Sequence, residues 1–353
     1  MSLTIAVTGL NATDNPGPGV PVIRAIREGA LGDCRIVGLA YDALDPGIFM
    51  DQVADEVYLM PYPSQGMTAV FERLAYIHER TPIDVLIPCL DAELPAYVRM
   101  ADQLREMGIR MFIPDEGQLG LRSKANFPKL RNDLKIVTPE TFTVTSPTQL
   151  ANLDENLKYP VMVKGQFYDA HIAYSRMDVE RLFYQVRAQW GAPVIVQEYV
   201  DGEEFCVTAL GDGQGGLVGS VAMRKMQLTD KGKAWGGITI RDAKLDAFVR
   251  DTMAKLKWRG PCEMEVMRAK GGKLYLLEIN PRFPAWVYLT VGAGRNLPWA
   301  TVQLAMGESL APFDPAAPGV MFLRHSFDRI CRLSDFETLQ MTGEIHRAAE
   351  VSP

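Results

Sequence analysis

The chain has little cysteine and histidine. Five cysteines, Cys34, Cys89, Cys206, Cys262 and Cys331, are scattered through 353 residues with no CxxC pair, and the four histidines show no metal-ligand spacing. A disulfide framework and a zinc centre are therefore not expected. No apolar run approaches the roughly 20 residues of a membrane-spanning helix, and the opening "MSLTIAVTGLN" lacks the charged and apolar regions of a secretion signal. We expect a cytoplasmic protein with no membrane partner. Lys and Arg are interspersed with Asp and Glu at a formal net charge of -6, leaving no basic stripe to grip a phosphate backbone, so nucleic acid is not expected either. A GxGxxG fingerprint, internal repeats and low-complexity tracts are also missing.

What is present is a globular composition, 47% hydrophobic, with length for two or three domains. Residues 1–117 alternate short apolar runs ("LTIAVTGL", "RIVGLAYD", "IDVLIP") with amphipathic stretches ("VPVIRAIREGA", "MTAVFERLAYIHER", "PAYVRMADQLREMG"). That rhythm predicts a Rossmann-like parallel sheet covered by helices, with ligands near the carboxyl ends of its strands. The loop "GLNATDNPGPG" places Gly17 and Gly19 at a helix start, where backbone N–H groups could meet an anion, although Gly and Pro there also read as an ordinary turn.

Residues 118–192 read as a small α+β unit, with "YPVMVKG" a buried strand and "SRMDVERLFYQVRAQW" an amphipathic helix. Residues 193–353 supply "VIVQEYV", "EEFCVTAL", "GLVGSVAMRKM", "CEMEVMRA" and "KLYLLEI". One helix, "LDAFVRDTMAKLK", lies between the third and fourth of these, which predicts a mainly antiparallel sheet with helical cover.

The chemistry concentrates in "KLYLLEINPRFPAW". Residues two apart share a strand face, so Glu278, Asn280 and Arg282 point one way, with Leu277 and Ile279 opposite. Upstream, Glu263 and Glu265 share a face in "GPCEMEV", and pairing across the turn "AKGGK" would bring Glu265 beside Glu278 and Asn280. Carboxylates so placed repel unless a hard cation joins them, and magnesium accepts such oxygens together with substrate phosphates. Arg282 could then fork onto a phosphate oxygen. The bland alternative is a solvated acidic sheet face. A phosphate-bound cation also calls for a nucleotide: Lys124 and the strand-end Lys164 suit its phosphates, Glu198 and Val200 an adenine edge, and Glu204 the ribose. Singly, each lysine also reads as a surface side chain.

These strings, with "IPCLDAEL", "VQEYVDGEE" and "GAGRNLPWATVQLAMGE", resemble the ATP-grasp superfamily across nearly the whole chain. The likeness is to the branch similar to carbamoyl phosphate synthetase large subunits and biotin carboxylase. The resemblance implies an α/β and α+β architecture: a Rossmann-like pre-ATP-grasp domain (1–117), a lid lobe (118–192) and a C-lobe carrying the metal and phosphate site (193–353). It implies ATP as cofactor, with Lys124 and Lys164 on its phosphates, Glu198 and Val200 at the adenine and Glu204 at the ribose. Two magnesium ions, or manganese in their place, would sit on Glu265, Glu278 and Asn280, with Arg282 at the transferred phosphate and Arg224 or Lys225 adding charge. Two departures stand out. The lid loop "KGQFYDAHIAYS" holds one glycine and the bulkier Tyr168, Asp169 and His171, and "FPAW" puts Phe283 and Trp286 after the arginine, either as a substrate wall or as core.

The implied reaction activates a carboxylate as an acyl phosphate with Mg·ATP and passes it to an amine, forming an amide. The partners would be a small carboxylate and an amine, from an amino acid, a small peptide or a metabolite, and a homodimer follows by analogy. Specificity would lie in the loop 11–19, around Asp91 and Glu93, and after Arg282; Asp91 and Glu93 also read as caps of the following helix. A biotin-carboxylase-like carboxylation, a non-catalytic ATP-binding protein and a nicotinamide dehydrogenase are the rival readings, the last leaving the carboxylates unexplained.

Overall fold

The computed structural model describes residues 2–153, 157–165, 169–229 and 232–346. The first sheet contains β1 (Leu3–Thr8), β2 (Cys34–Ala40), β3 (Glu56–Leu59) and β4 (Val85–Ile87), ordered β3-β2-β1-β4 with every pair parallel. Helices cover both of its faces. Ile5 and Val7 pack in one core with Val20, Ile23 and Ile26 of helix Gly19–Gly29. Ala6 packs in another with Leu74 of helix Met67–Arg80 and with Tyr97 and Met100 of helix Leu94–Glu106. Burial on both sides explains why these strands read as continuous apolar runs.

A second, antiparallel sheet contains β5 (Thr141–Val144), β6 (Val161–Lys164), β7 (Ala170–Ala173) and β8 (Val194–Glu198), in the order β5-β8-β6-β7. Helix Arg176–Trp190, whose N-cap Ser175 accepts the Asp178 amide, lays Val179, Leu182, Phe183 and Val186 on it. The third sheet is six-stranded and antiparallel: β9 (Gly202–Asp212), β10 (Leu217–Leu228), β11 (Ala234–Ile240), β12 (Arg259–Ala269), β13 (Leu274–Asn280) and β14 (Met321–Leu323), ordered β13-β12-β9-β10-β11-β14. Helix Ala243–Leu256 starts at Asp242, which caps the amides of Lys244 and Leu245 at 3.0 Å, and it buries Leu245, Val249, Met253 and Leu256. Each such side chain contributes about 1.5–3 kcal/mol by leaving water.

The structure corrects the sequence reading in four places. The strand "VIVQE" belongs to the second sheet, because its two edges are taken by β5 and β6 and its valines pack with the helix Arg176–Trp190. Strand β11, "AWGGITI", was not anticipated. Its glycines interrupt the pattern, yet a Cβ on Gly237 would lie 2.5 Å from Met223 Sδ. Residues Phe127, Leu130 and Ile136, placed by sequence with the lid, pack in the core of the third sheet. The last strand, β15 (Glu344–His346), returns to pair antiparallel with β3 in the first sheet, with Leu339 buried beside it. No described helix is long and apolar enough to cross a membrane.

Candidate active site

The β12–β13 hairpin assembles the carboxylates as expected. Its turn closes through the Gly272 amide on the Ala269 carbonyl (2.7 Å), with Gly272 at φ 80°, and the register sets Glu265 opposite Glu278 and Glu263 opposite Asn280. A bulge after Glu265 shifts the pairing by one residue. Leu276 therefore joins Ile279 in the core while Leu277 stays half-buried, so Leu277 does not share the face expected of it.

Crowding has an electrostatic consequence. Burial first, then the charges of Glu278 and Glu263, push Glu265 up to about 8. Lys124, 8% exposed, places Nζ 2.9 Å from Glu278 Oε1 and so supplies one of the missing positive charges. Lys164 ends β6 with Nζ donating to Gln197 Oε1 at 2.9 Å, and Gln197 in turn donates to Thr141 Oγ1 at 3.0 Å. Burial, then the neighbouring Lys124, lowers Lys164 to about 8; Glu278, Glu265 and Glu204 act in the opposite direction.

Lys225 reaches inward from β10 to Glu204 (2.5 Å). Cys206, 1% exposed, lies between Glu204 and Glu265, the three ligand atoms within 4.8 Å of one another, and burial keeps its thiol protonated. Arg224 projects from the other side of β10, half-exposed, 3.5 Å from Glu203. Glu198 accepts the Glu140 amide at 3.0 Å and ties β8 to the segment entering β5, and Val200 is half-buried just beyond β8.

Arg282 is held from two sides. Its Nε donates to Asp91 Oδ2 at 3.0 Å and its Nη1 to Glu263 Oε2 at 3.1 Å; burial alone would lower its pKa, but these two carboxylates raise it. Asp91 also pairs with Arg122 at 3.3 Å, so it is an ion-pair residue rather than a helix cap. Glu93 occupies the cap position without capping. Its buried carboxylate accepts the hydroxyls of Thr8 and Tyr41 and the amides of Cys89 (2.7 Å) and Leu90 (2.8 Å), fixing the loop that carries Asp91.

A cleft of about 740 Å³ is lined by Asp91, Glu204, Lys225, Glu263, Glu265 and Arg282. It is also lined by the loop after β1 and by Tyr41 and Tyr62, whose rings stack 6.0 Å apart. Asn280 and Trp286 line it as well, whereas Lys124 and Glu278 line an adjoining cavity of about 290 Å³. Lys164, Glu198, Val200 and Arg224 line neither space. The amides of Gly17 and Gly19 do not face an anion: they donate to the carbonyls of Asn11 (2.8 Å) and Gly9 (3.0 Å), the ordinary turn. Phe283, 1% exposed, belongs to the core against the first sheet, while Trp286 borders the cleft. Beside the β6–β7 pair Asp169 and His171 pair at 2.7 Å; Tyr168 lies outside the described residues.

The sequence reading left Glu263 and Gln197 out of the site. Both had a signal, since Glu263 sits two residues before Glu265 on one strand face and Gln197 is a polar residue inside an apolar strand.

Comparison with known proteins fits this geometry. Residues 191–322, which hold β12 and β13, match the family described as "ATP-grasp in the biosynthetic pathway with Ter operon". Over 273 residues, 73% of this chain, the sequence is 24% identical to the carbamoyl phosphate synthase large chain of Thermomicrobium roseum, of which it spans about a quarter of the length (25%). The fold is similar to that of an L-amino acid ligase from Bacillus licheniformis (TM-score 0.64, 18% identity, 86% of this chain and 74% of that one). It is also similar to the biotin carboxylase domain of the Hydrogenobacter thermophilus 2-oxoglutarate carboxylase, solved with MgADP and bicarbonate (TM-score 0.66, 17% identity, 87% and 70%). Residues 191–322 therefore carry the match to an ATP-grasp domain, and the wider chain shares its fold with these structures.

Proposed function

We propose that this protein is an ATP-dependent ligase that activates a small carboxylate as an acyl phosphate and transfers the acyl group to an amine. The observation that carries the reading is the convergence of Glu265, Glu278, Asn280 and Arg282 on one hairpin and its end, with Lys124 paired to Glu278 and Lys164 within electrostatic reach, where the cleft meets the adjoining cavity. The donor set suits magnesium. Hard oxygen ligands are forced together with Glu265 raised to about 8, and Lys124 stands where a cation is needed. Two ions on Glu265, Glu278 and Asn280 would neutralise charge on the β- and γ-phosphate oxygens, and manganese could replace them.

The chain's own part is positioning. Glu204 and the Glu198–Val200 segment would hold the ribose and adenine, leaving the γ-phosphate toward Arg282. A carboxylate oxygen attacks the γ-phosphorus, the bond to the ADP oxygen breaks, and an acyl phosphate forms. The amine then attacks the carbonyl carbon and expels phosphate. Lys164, protonated below about pH 8, would meet the phosphate as a cation, Arg282 would offer Nη2 to the transferred group, and Lys225, rather than the outward Arg224, would add charge. The β5–β8 sheet would shield the intermediate from water. The acid and the amine would come from amino acids, small peptides or metabolites. A cytoplasmic location and a homodimer belong to the same reading by analogy.

The test is ADP release from Mg·ATP across a panel of amino acids, small carboxylic acids and bicarbonate, with hydroxylamine present. One acid giving ADP and a hydroxamate supports the reading. A protein that binds Mg·ATP yet releases no ADP with any acid would instead be a nucleotide-binding protein without turnover.

A further inference from the structure

Glu263 has no part in the mechanism above, yet among the described carboxylates lining the cleft it has the most side-chain partners. It is 7% exposed and both oxygens are engaged. Oε1 accepts the indole Nε1–H of Trp286 at 2.7 Å, and Oε2 accepts Arg282 Nη1 at 3.1 Å and, at 3.4 Å, the Asn280 amide nitrogen. One carboxylate thus touches the arginine at the transferred phosphate, a proposed metal ligand and the aromatic wall of the cleft. Asp91 holds Arg282 from the opposite side through Nε, and Nη1 also reaches the Phe283 carbonyl at 3.4 Å, so the guanidinium plane is fixed by carboxylates from two different sheets' loops and strands and by its own chain. That leaves Nη2 as the nitrogen free to meet a ligand among the described contacts. A carboxylate buried only to balance charge would need Arg282 alone; the bond to Trp286 is the additional feature.

We propose that Glu263 is a positioning residue that couples Trp286, on the wall of the cleft, to the orientation of Arg282. The inference rests on the ligase reading. Its core is geometric: Glu263→Gln leaves one acceptor oxygen where two served Arg282 and Trp286, so one of those bonds is lost and the other loses its charge, while Glu265, Glu278 and the lysines keep their places. The reacting groups then lose alignment without loss of nucleotide affinity.

The experiment compares the full chain with Glu263→Gln, Trp286→Phe and the double variant, using whichever acid the panel identifies. Glu263→Gln keeps the volume, and we expect kcat to fall about 10–100-fold with KM for Mg·ATP within about twofold. Trp286→Phe keeps the ring and loses the donor, with a smaller fall, about 3–10-fold, and the double variant is no slower than Glu263→Gln alone. Multiplicative losses in the double variant, an unchanged kcat, or a loss confined to KM for Mg·ATP would overturn the proposal. If Glu263→Gln does not fold, Trp286→Phe decides by itself, an unchanged kcat overturning it. A second readout separates this from the ligase reading. If the unmodified protein releases no ADP, that reading fails, and the Trp286 indole N–H resonance, identified by its absence in Trp286→Phe, still reports the coupling. It should move upfield in Glu263→Gln, and an unmoved resonance would overturn the proposal.

Discussion

Replacing Lys164 by methionine should make the ligand-free protein more stable near neutral pH while weakening its hold on the nucleotide. The ammonium is held by Gln197 at 2.9 Å and is displaced from its ordinary 10.5 to about 8, first by burial and then by Lys124. At about 1.36 kcal/mol per pH unit that displacement amounts to about 3 kcal/mol against the charged form. Lys164 retains some water contact, being half-buried, so we take about 2 kcal/mol as the gain for Lys164→Met at pH 7. The sign follows from proton counting. Between about pH 8 and 10.5 the unfolded chain holds this proton and the folded one does not, so wild-type stability rises with pH across that window. Lys164→Met should lack that rise. Mg·ATP affinity should behave oppositely in the wild type, falling above about pH 8 as the lysine must recapture a proton, and should be flat in the variant. Urea unfolding at pH 7 and 9.5, with a fluorescent nucleotide titrated at both, reads all four quantities. A variant less stable than wild type at pH 7, or one keeping the rise toward pH 10, would refute the reasoning.

Other expectations rest on different contacts. Glu278→Ala should lower turnover by about 10²–10³-fold; near-normal turnover would remove the metal assignment. Because burial and its carboxylate neighbours raise Glu265 to about 8, magnesium binding at pH 7 should release about one proton. Calorimetry in two buffers of different ionisation enthalpy would show it, and equal heats would contradict it. Gly237→Ala should cost about 1–3 kcal/mol, since the new methyl would meet Met223 Sδ at 2.5 Å and the Phe322 ring at 2.9 Å; an unaltered melting curve would mean that β11 and β14 are less tightly packed than described.

What could be read from sequence was whatever local periodicity controls. The facing carboxylates follow from the two-residue repeat and the "AKGGK" turn, and the parallel sheet follows from apolar runs separated by amphipathic helices. Partner choice was not legible. An apolar strand such as "VIVQE" does not say which sheet it joins, and the short "EIH" carries no periodicity that sends it back to β3. The bulge after Glu265 was invisible for a related reason, because Leu276 and Leu277 are equally apolar and only cross-strand pairing decides which is core. In the candidate site, the groups whose neighbours could be foreseen were the carboxylates of the β12–β13 hairpin. The groups that position the basic residues, Asp91 on Arg282 and Gln197 on Lys164, come from elements 191 and 33 residues distant and were seen only once the chain was folded.

The central claim is acyl phosphate chemistry, and following oxygen tests it most directly. With the acid found active in the panel labelled with ¹⁸O in its carboxylate, together with Mg·ATP and the amine, the account predicts one labelled oxygen in the released phosphate. Attack of that oxygen on the γ-phosphorus, followed by cleavage of the carbon–oxygen bond, leaves it there. Unlabelled phosphate released in step with amide formation would contradict the account.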